Sequence, residues 1–97
     1  MLFSNLIAQH ELVAKGKGCS GINIDKGIFA TIEMCAEECK NLSSMFQFGR
    51  NGTGGCTTNG CACYCETAAS ADGTCDQKDK YYVNLYRYTK KGDILFI

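Results

Sequence analysis

Proline is missing from this chain of 97 residues, and histidine occurs once. No run of about eighteen apolar residues is present, so no helix is expected to span a membrane. Neither sign of charge dominates: ten Lys and Arg face ten Asp and Glu. That balance gives no support to nucleic acid, an anionic membrane or an acidic substrate as the main partner. The single histidine, His10, is far in sequence from every cysteine. On an edge strand it is expected to be exposed, and it offers no base to a cysteine or serine nucleophile. C-x-x-C is also lacking, which argues against thiol redox catalysis and against the close ligand pairs usual in structural zinc sites. The stretch Gly49–Gly55 (GRNGTGG) has glycines but not the lysine that follows them in a phosphate-binding loop. No enzyme activity, no cofactor and no metal are expected.

What the chain does have is cysteine, eight of them in a length that supports one domain. A chain this short buries a limited core, and an even cysteine count reads as a disulfide scaffold of an oxidising compartment. Aromatics argue the same way: five Phe and five Tyr are more than a cysteine-dominated metal-thiolate protein usually carries. A secreted, extracellular location is therefore expected. Asn41-Leu42-Ser43 and Asn51-Gly52-Thr53 are glycan acceptor sequons that fit it. Met1–Gln9 lacks the basic start and length of a signal peptide. It is read as a signal stump, or as part of a mature chain behind an added methionine.

Periodicity places the elements. His10–Val13 reads as a first strand ended by the turn-forming Lys15-Gly16-Lys17-Gly18, and Ser20–Gly27 as a polar loop. Thr31 is a plausible N-cap. Ile32, Cys35, Cys39 and Leu42 fall on one side at helical spacing, giving a helix over about 31–41. Met45–Phe48 is a short strand. Asn59-Gly60 is a two-residue hairpin turn that pairs Cys56–Thr58 with Cys61–Cys63. Asp72-Gly73 marks another turn, Tyr81–Tyr88 a long strand, and Ile94–Ile97 a final strand. Cys61, Cys63 and Cys65 alternate, so they share one strand face, as Cys35 and Cys39 share one helix face. The two helix cysteines stand about 6 Å apart, and strand neighbours at i+2 nearly 7 Å apart.

The lone Cys19, the helix sequence Cys-Ala-Glu-Glu-Cys (35–39), the aromatic Phe46-Gln47-Phe48-Gly49, the strand Cys63-Tyr64-Cys65-Glu66 and the closing Tyr82-Val83-Asn84-Leu85-Tyr86 form an ordered set. That set resembles a PAN/apple domain over about residues 10–88. The resemblance implies an α+β fold, a small disulfide-rich domain in which one α-helix (about 31–41) packs across a curved antiparallel β-sheet. Residues 1–97 form a single domain on this reading, with apolar extensions at 1–9 and 90–97. These ends either complete the monomer's own sheet or bury each other in a homodimer. The resemblance also implies a Cys35–Cys63 bond and, as in apple domains, a Cys19–Cys75 clip. In the family the second helix cysteine finds its partner just before the aromatic strand, where this chain has Ser43-Ser44. Given Cys35–Cys63, strand spacing leaves Cys39 to reach Cys61 or Cys65. Cys56 faces Cys63 across the expected hairpin, as a hydrogen-bonded pair poorly shaped for a disulfide. It takes whichever strand cysteine remains.

PAN/apple domains bind proteins or carbohydrates outside cells. The resemblance thus implies a non-catalytic recognition module of lectin or adhesion type. The alternative is a secreted inhibitor or toxin-like effector that blocks a protein partner. The expected binding residues are Arg50 and Asn51 in the glycine loop and Lys78, Lys80, Tyr81 and Tyr82 at the start of the long strand. Tyr64, Tyr86 and Tyr88 could extend a sugar-stacking surface, although on a half-buried sheet tyrosines more often serve the core. Lys78, Lys80, Arg87, Lys90 and Lys91 form a loose basic cluster interrupted by Asp76, Asp79 and Asp93, the pattern of a solvated face.

Overall fold

The computed structural model describes residues 8–91. In chain order the elements are β1 (Gln9–Cys19), β2 (Ile24–Phe29), α1 (Ile32–Cys39), β3 (Met45–Gly49), β4 (Cys56–Thr57), β5 (Gly60–Cys65) and β6 (Gln77–Lys90). All strand pairs are antiparallel, in the order β1-β6-β3-β5-β2, with β4 paired to β5 as a short hairpin. This is a small disulfide-rich domain, richer in sheet than the expected α+β balance, with one helix of eight residues.

The helix starts where capping chemistry says it should. Thr31 Oγ1 accepts from the Met34 N–H at 3.2 Å, and Glu33 lies in the positively polarised first turn. The chain stays helical only to Cys39, after which the Leu42 and Ser43 amides turn back onto the Cys39 carbonyl.

Side-chain alternation along β3 divides the interior into two. Phe46 and Phe48 point to the helix side, where they join Cys35, Ala36 and Cys39 of α1 and Cys61, Cys63 and Cys65 of β5. Met45 points the other way, into a smaller cluster with Cys19 and Leu85 that Ala69 and Cys75 cover from outside.

Four disulfides join these parts: Cys19–Cys75, Cys35–Cys63, Cys39–Cys65 and Cys56–Cys61. The first two are the bonds implied by the family resemblance. The third is one of the two partners that strand spacing allowed Cys39.

Several local expectations need correction. β1 does not stop at Lys15-Gly16-Lys17-Gly18 but runs through it to Cys19. Gly16 makes this possible by adopting φ 65°, so the ladder absorbs an irregularity rather than ending. The polar stretch after Cys19 contains the strand β2, because Ile24–Phe29 finds the open edge of β5. The hairpin turn is Thr58-Asn59, with Thr57 opposite Gly60 and Cys56 opposite Cys61. That one-residue slip places Cys56 against Cys61 instead of Cys63, and the two are bonded. His10 is half-buried on edge strand β1 rather than exposed. Its ring meets the rings of Phe46 and Tyr86 edge-on at 5.4 and 5.6 Å. The expected strand Ile94–Ile97 and nearly all of both apolar extensions lie outside the described residues.

Candidate functional site

β6 is longer than the strand it pairs with, and the surplus shapes the surface. Lys15 faces Asn84 and Lys17 faces Asp79, so on the β1 side Lys80–Val83 have only Gly16 opposite them. The surplus forms a bulge in which Tyr81 is exposed and Val83 is fully buried. The glycine loop 50–55 then folds over it. The Arg50 N–H donates to the Tyr82 carbonyl at 2.9 Å, and the Thr53 hydroxyl reaches the Arg50 carbonyl at 2.6 Å. Arg50 Nη1 donates to the Tyr81 carbonyl at 2.9 Å. Gly55 sits so close to the bulge that a Cβ there would lie 2.0 Å from the Tyr82 oxygen. The loop needs its glycine for this close approach.

On one side of this junction lies an open hollow of about 400 Å3. Its walls include Phe48 and Ile32, from β3 and the first turn of α1, and Cys61 of the Cys56–Cys61 bond. Its polar groups are Lys15, Arg50, Asn51, Asn84 and Tyr86. Among the described residues, no carboxylate lines it. Asn84 is held in place by accepting from the Gly16 N–H at 3.1 Å. Such a surface offers cations and amide donors above an apolar floor, the combination that suits a ligand with an anionic group and a nonpolar face.

On the other side is a second hollow of about 440 Å3, lined by Lys78, Asp79, Lys80, Tyr81 and Tyr82. Much of its chemistry is already engaged. Lys80 Nζ lies 4.1 Å from the Tyr64 ring centroid and 5.4 Å from that of Tyr82. Burial lowers the Lys80 pKa and Lys78 adds to this, while Glu66 and Asp25 oppose it. Burial raises the Tyr64 pKa, and Asp25 and Tyr82 raise it further. Asp79 is bonded to Lys17, which holds its carboxyl below the usual range.

The expected binding residues thus fall into two neighbouring hollows. Arg50 and Asn51 line the first. Lys78, Lys80, Tyr81 and Tyr82 line the second, and the Arg50–Tyr81 hydrogen bond ties the two together. The sequence did not point to Lys15, Ile32, Phe48, Cys61 or Asn84, which reach the first hollow only through the sheet order. Of the five tyrosines, Tyr81 alone is broadly exposed, at 70 %. Tyr86 stacks on Phe46 at 5.3 Å. Tyr88 packs on the same ring and donates its hydroxyl to the Ala36 carbonyl, which clamps the helix to the sheet. The basic cluster is split as well, with Arg87 bound to Glu11.

The sulfurs of Cys35, Cys39 and Cys63 lie within 4.8 Å of one another. All three belong to disulfides, so they present no thiolates in this state. Among the described residues, no helix is long and apolar enough to cross a membrane. In comparisons with known proteins, no family model, no curated protein and no solved structure matches the chain.

Proposed function

We propose that this chain is a secreted, non-catalytic recognition module of PAN/apple type that binds an extracellular glycan. The first hollow carries the reading: Lys15, Arg50, Asn51 and Asn84 line it together with Phe48 and Ile32, and no carboxylate lines it among the described residues. A sugar bearing a carboxylate or sulfate would meet cations and amide donors at its charged edge and the apolar floor at its ring face. The four disulfides support the same reading, since they fit an oxidising compartment and hold the walls rigid. A glycan array containing sialylated, sulfated, uronic and neutral sugars tests it. Binding should be confined to the acidic sugars and fall at least tenfold in Lys15→Ala and Asn51→Ala, neither of which holds the loop in place. An array without any hit at millimolar sensitivity sinks the glycan reading.

A second reading is an effector that blocks a protein partner. Tyr81 favours it, because an exposed tyrosine carried on a pinned bulge resembles the aromatic anchors of protein interfaces. A one-to-one protein complex that free sugars do not disturb, and that Tyr81→Ala weakens, would decide for it.

A further inference from the structure

We propose that Cys35, Cys39, Cys63 and Cys65 form a tetrathiolate site for one Zn2+ when their two disulfides are reduced. Two elements present the four sulfurs in pairs. Cys35 and Cys39 lie one turn apart on α1, a C-x3-C spacing within the range of structural zinc ligands. Cys63 and Cys65 share a face of β5. The pairs already face each other, with Cα–Cα distances of 5.6 Å for Cys35–Cys63 and 5.2 Å for Cys39–Cys65. Across the two bonds, the Cys39 and Cys63 sulfurs stand 3.9 Å apart. In a tetrahedral site with Zn–S of about 2.3 Å, two sulfurs are separated by about 3.8 Å. One edge of the tetrahedron therefore exists before any metal arrives. The sulfurs of Cys35, Cys39 and Cys63 already cluster within 4.8 Å of one another. The bonded pairs therefore have to part by less than about 2 Å and the Cys65 sulfur has to swing in beside the other three, movements of the kind a cysteine χ1 rotation makes.

The remaining cysteines are placed differently. Cys19 and Cys75 belong to the cluster on the opposite face. Cys61 shares the helix-side cluster, two residues from Cys63, but is tied across the β4–β5 hairpin to Cys56. All four proposed ligands are fully buried, among Ala36, Phe46, Phe48 and Tyr88. Those surroundings shield the site from water, as in closed structural sites, and the oxygen nearest to the Cys35 sulfur that the fold brings up is the Gln47 carbonyl at 3.5 Å.

The chemistry balances with a dithiol or phosphine as reductant. Each disulfide takes two electrons and two protons to become two thiols, and the reductant is oxidised. Zn2+ then replaces the thiol protons, which pass to buffer. The metal would take over from the two disulfides the task of fixing α1 on the sheet. The same chain would then hold its helix–sheet core in a reducing compartment as well as in an oxidising one.

The full chain, reduced and freed of reductant under inert gas, is titrated with Zn2+ and in parallel with Co2+. The expected result is one metal per chain, a cobalt spectrum with thiolate charge transfer and tetrahedral d–d bands, and return of the oxidised protein's far-UV circular dichroism. Brief alkylation with metal bound should label Cys19, Cys56, Cys61 and Cys75 and spare the other four. A variant with Cys19, Cys56, Cys61 and Cys75 all changed to serine should still bind one Zn2+. A variant with Cys35, Cys39, Cys63 and Cys65 changed to serine should bind at least a hundredfold more weakly. Absence of the cobalt–thiolate spectrum overturns the proposal. So does a labelling pattern blind to metal, or equal affinity in the two variants.

Discussion

On the helix side of the sheet, Phe46, Phe48, Tyr86 and Tyr88 pack around two disulfides, Cys35–Cys63 and Cys39–Cys65. On the opposite side, Met45 and Leu85 pack beside one, Cys19–Cys75, and two polar side chains are buried with them. Glu66, 1 % exposed, accepts the Cys19 N–H at 2.5 Å. Gln47 lies fully buried against Gly18, where a Cβ would come within 2.7 Å of its amide nitrogen. The helix side is therefore secured by redundancy and the other side by single contacts. The two helix bonds cross in sequence: once Cys35–Cys63 is closed, Cys39 and Cys65 are already neighbours of the linked pair. The second bond then closes only a short ring. Cys19–Cys75 spans 56 residues and has no understudy.

The contrast can be broken by removing bonds. In the chain-entropy picture, losing both helix staples should cost about 6 kcal/mol, and losing Cys19–Cys75 about 4 kcal/mol. Losing Cys39–Cys65 alone should cost only about 2 kcal/mol. Serine pairs at each bond, compared by urea unfolding, check this order. Equal costs for the last two would mean that the helix bonds act independently.

Gly55→Ala strikes the junction between the loop and β6, where backbone stands on both sides. It should destabilise by about 3 kcal/mol through overpacking and should also distort the first hollow. Far less than that, with ligand binding kept, would show that the bulge can slide.

Glu66→Leu leaves the buried Cys19 N–H without an acceptor and should cost about 2 kcal/mol. Glu66→Gln, which can still accept, should cost clearly less. If the two variants match, the opposite face does not depend on that contact.

The smallest effect belongs to the helix side. Tyr88→Phe removes one hydrogen bond to Ala36 and should cost about 1 kcal/mol. Burial holds the Tyr88 phenol well above its ordinary pKa of 10.0, with Glu37 adding to the rise. The protonated phenol is thus favoured by the fold. Its contribution is complete below the ordinary tyrosine value and is lost as pH rises through the higher folded one. Urea midpoints followed upward from neutral pH should fall less in Tyr88→Phe than in the parent chain.

Elements with strong local signals could be read directly. Thr31 and the spacing of Cys35 and Cys39 gave the helix, and Met45–Phe48 and Tyr81–Tyr88 gave the centres of β3 and β6. β2 could not be read that way, because Ile24–Phe29 becomes a strand only by finding β5. The hairpin turn moved by one residue because the Cys56–Cys61 bond fixes a register that Asn59-Gly60 alone would not choose. Of the first hollow, Arg50 and Asn51 were legible in their glycine loop. Lys15 and Asn84 were not, since they meet only through the pairing of distant strands.

What the sequence by itself determined is the covalent and local character of the protein. Side-chain periodicity put cysteines on one helix face and one strand face, and composition required staples because so short a chain has little core to spend. What only the tertiary structure decided is where the surface is open. Lys80 covers Tyr64, Tyr88 locks the helix, and the β6 bulge leaves Tyr81 exposed at the second hollow while distant strands meet around the first. These outcomes depend on strand order and on a register mismatch between residues far apart in the chain, which local propensity does not encode.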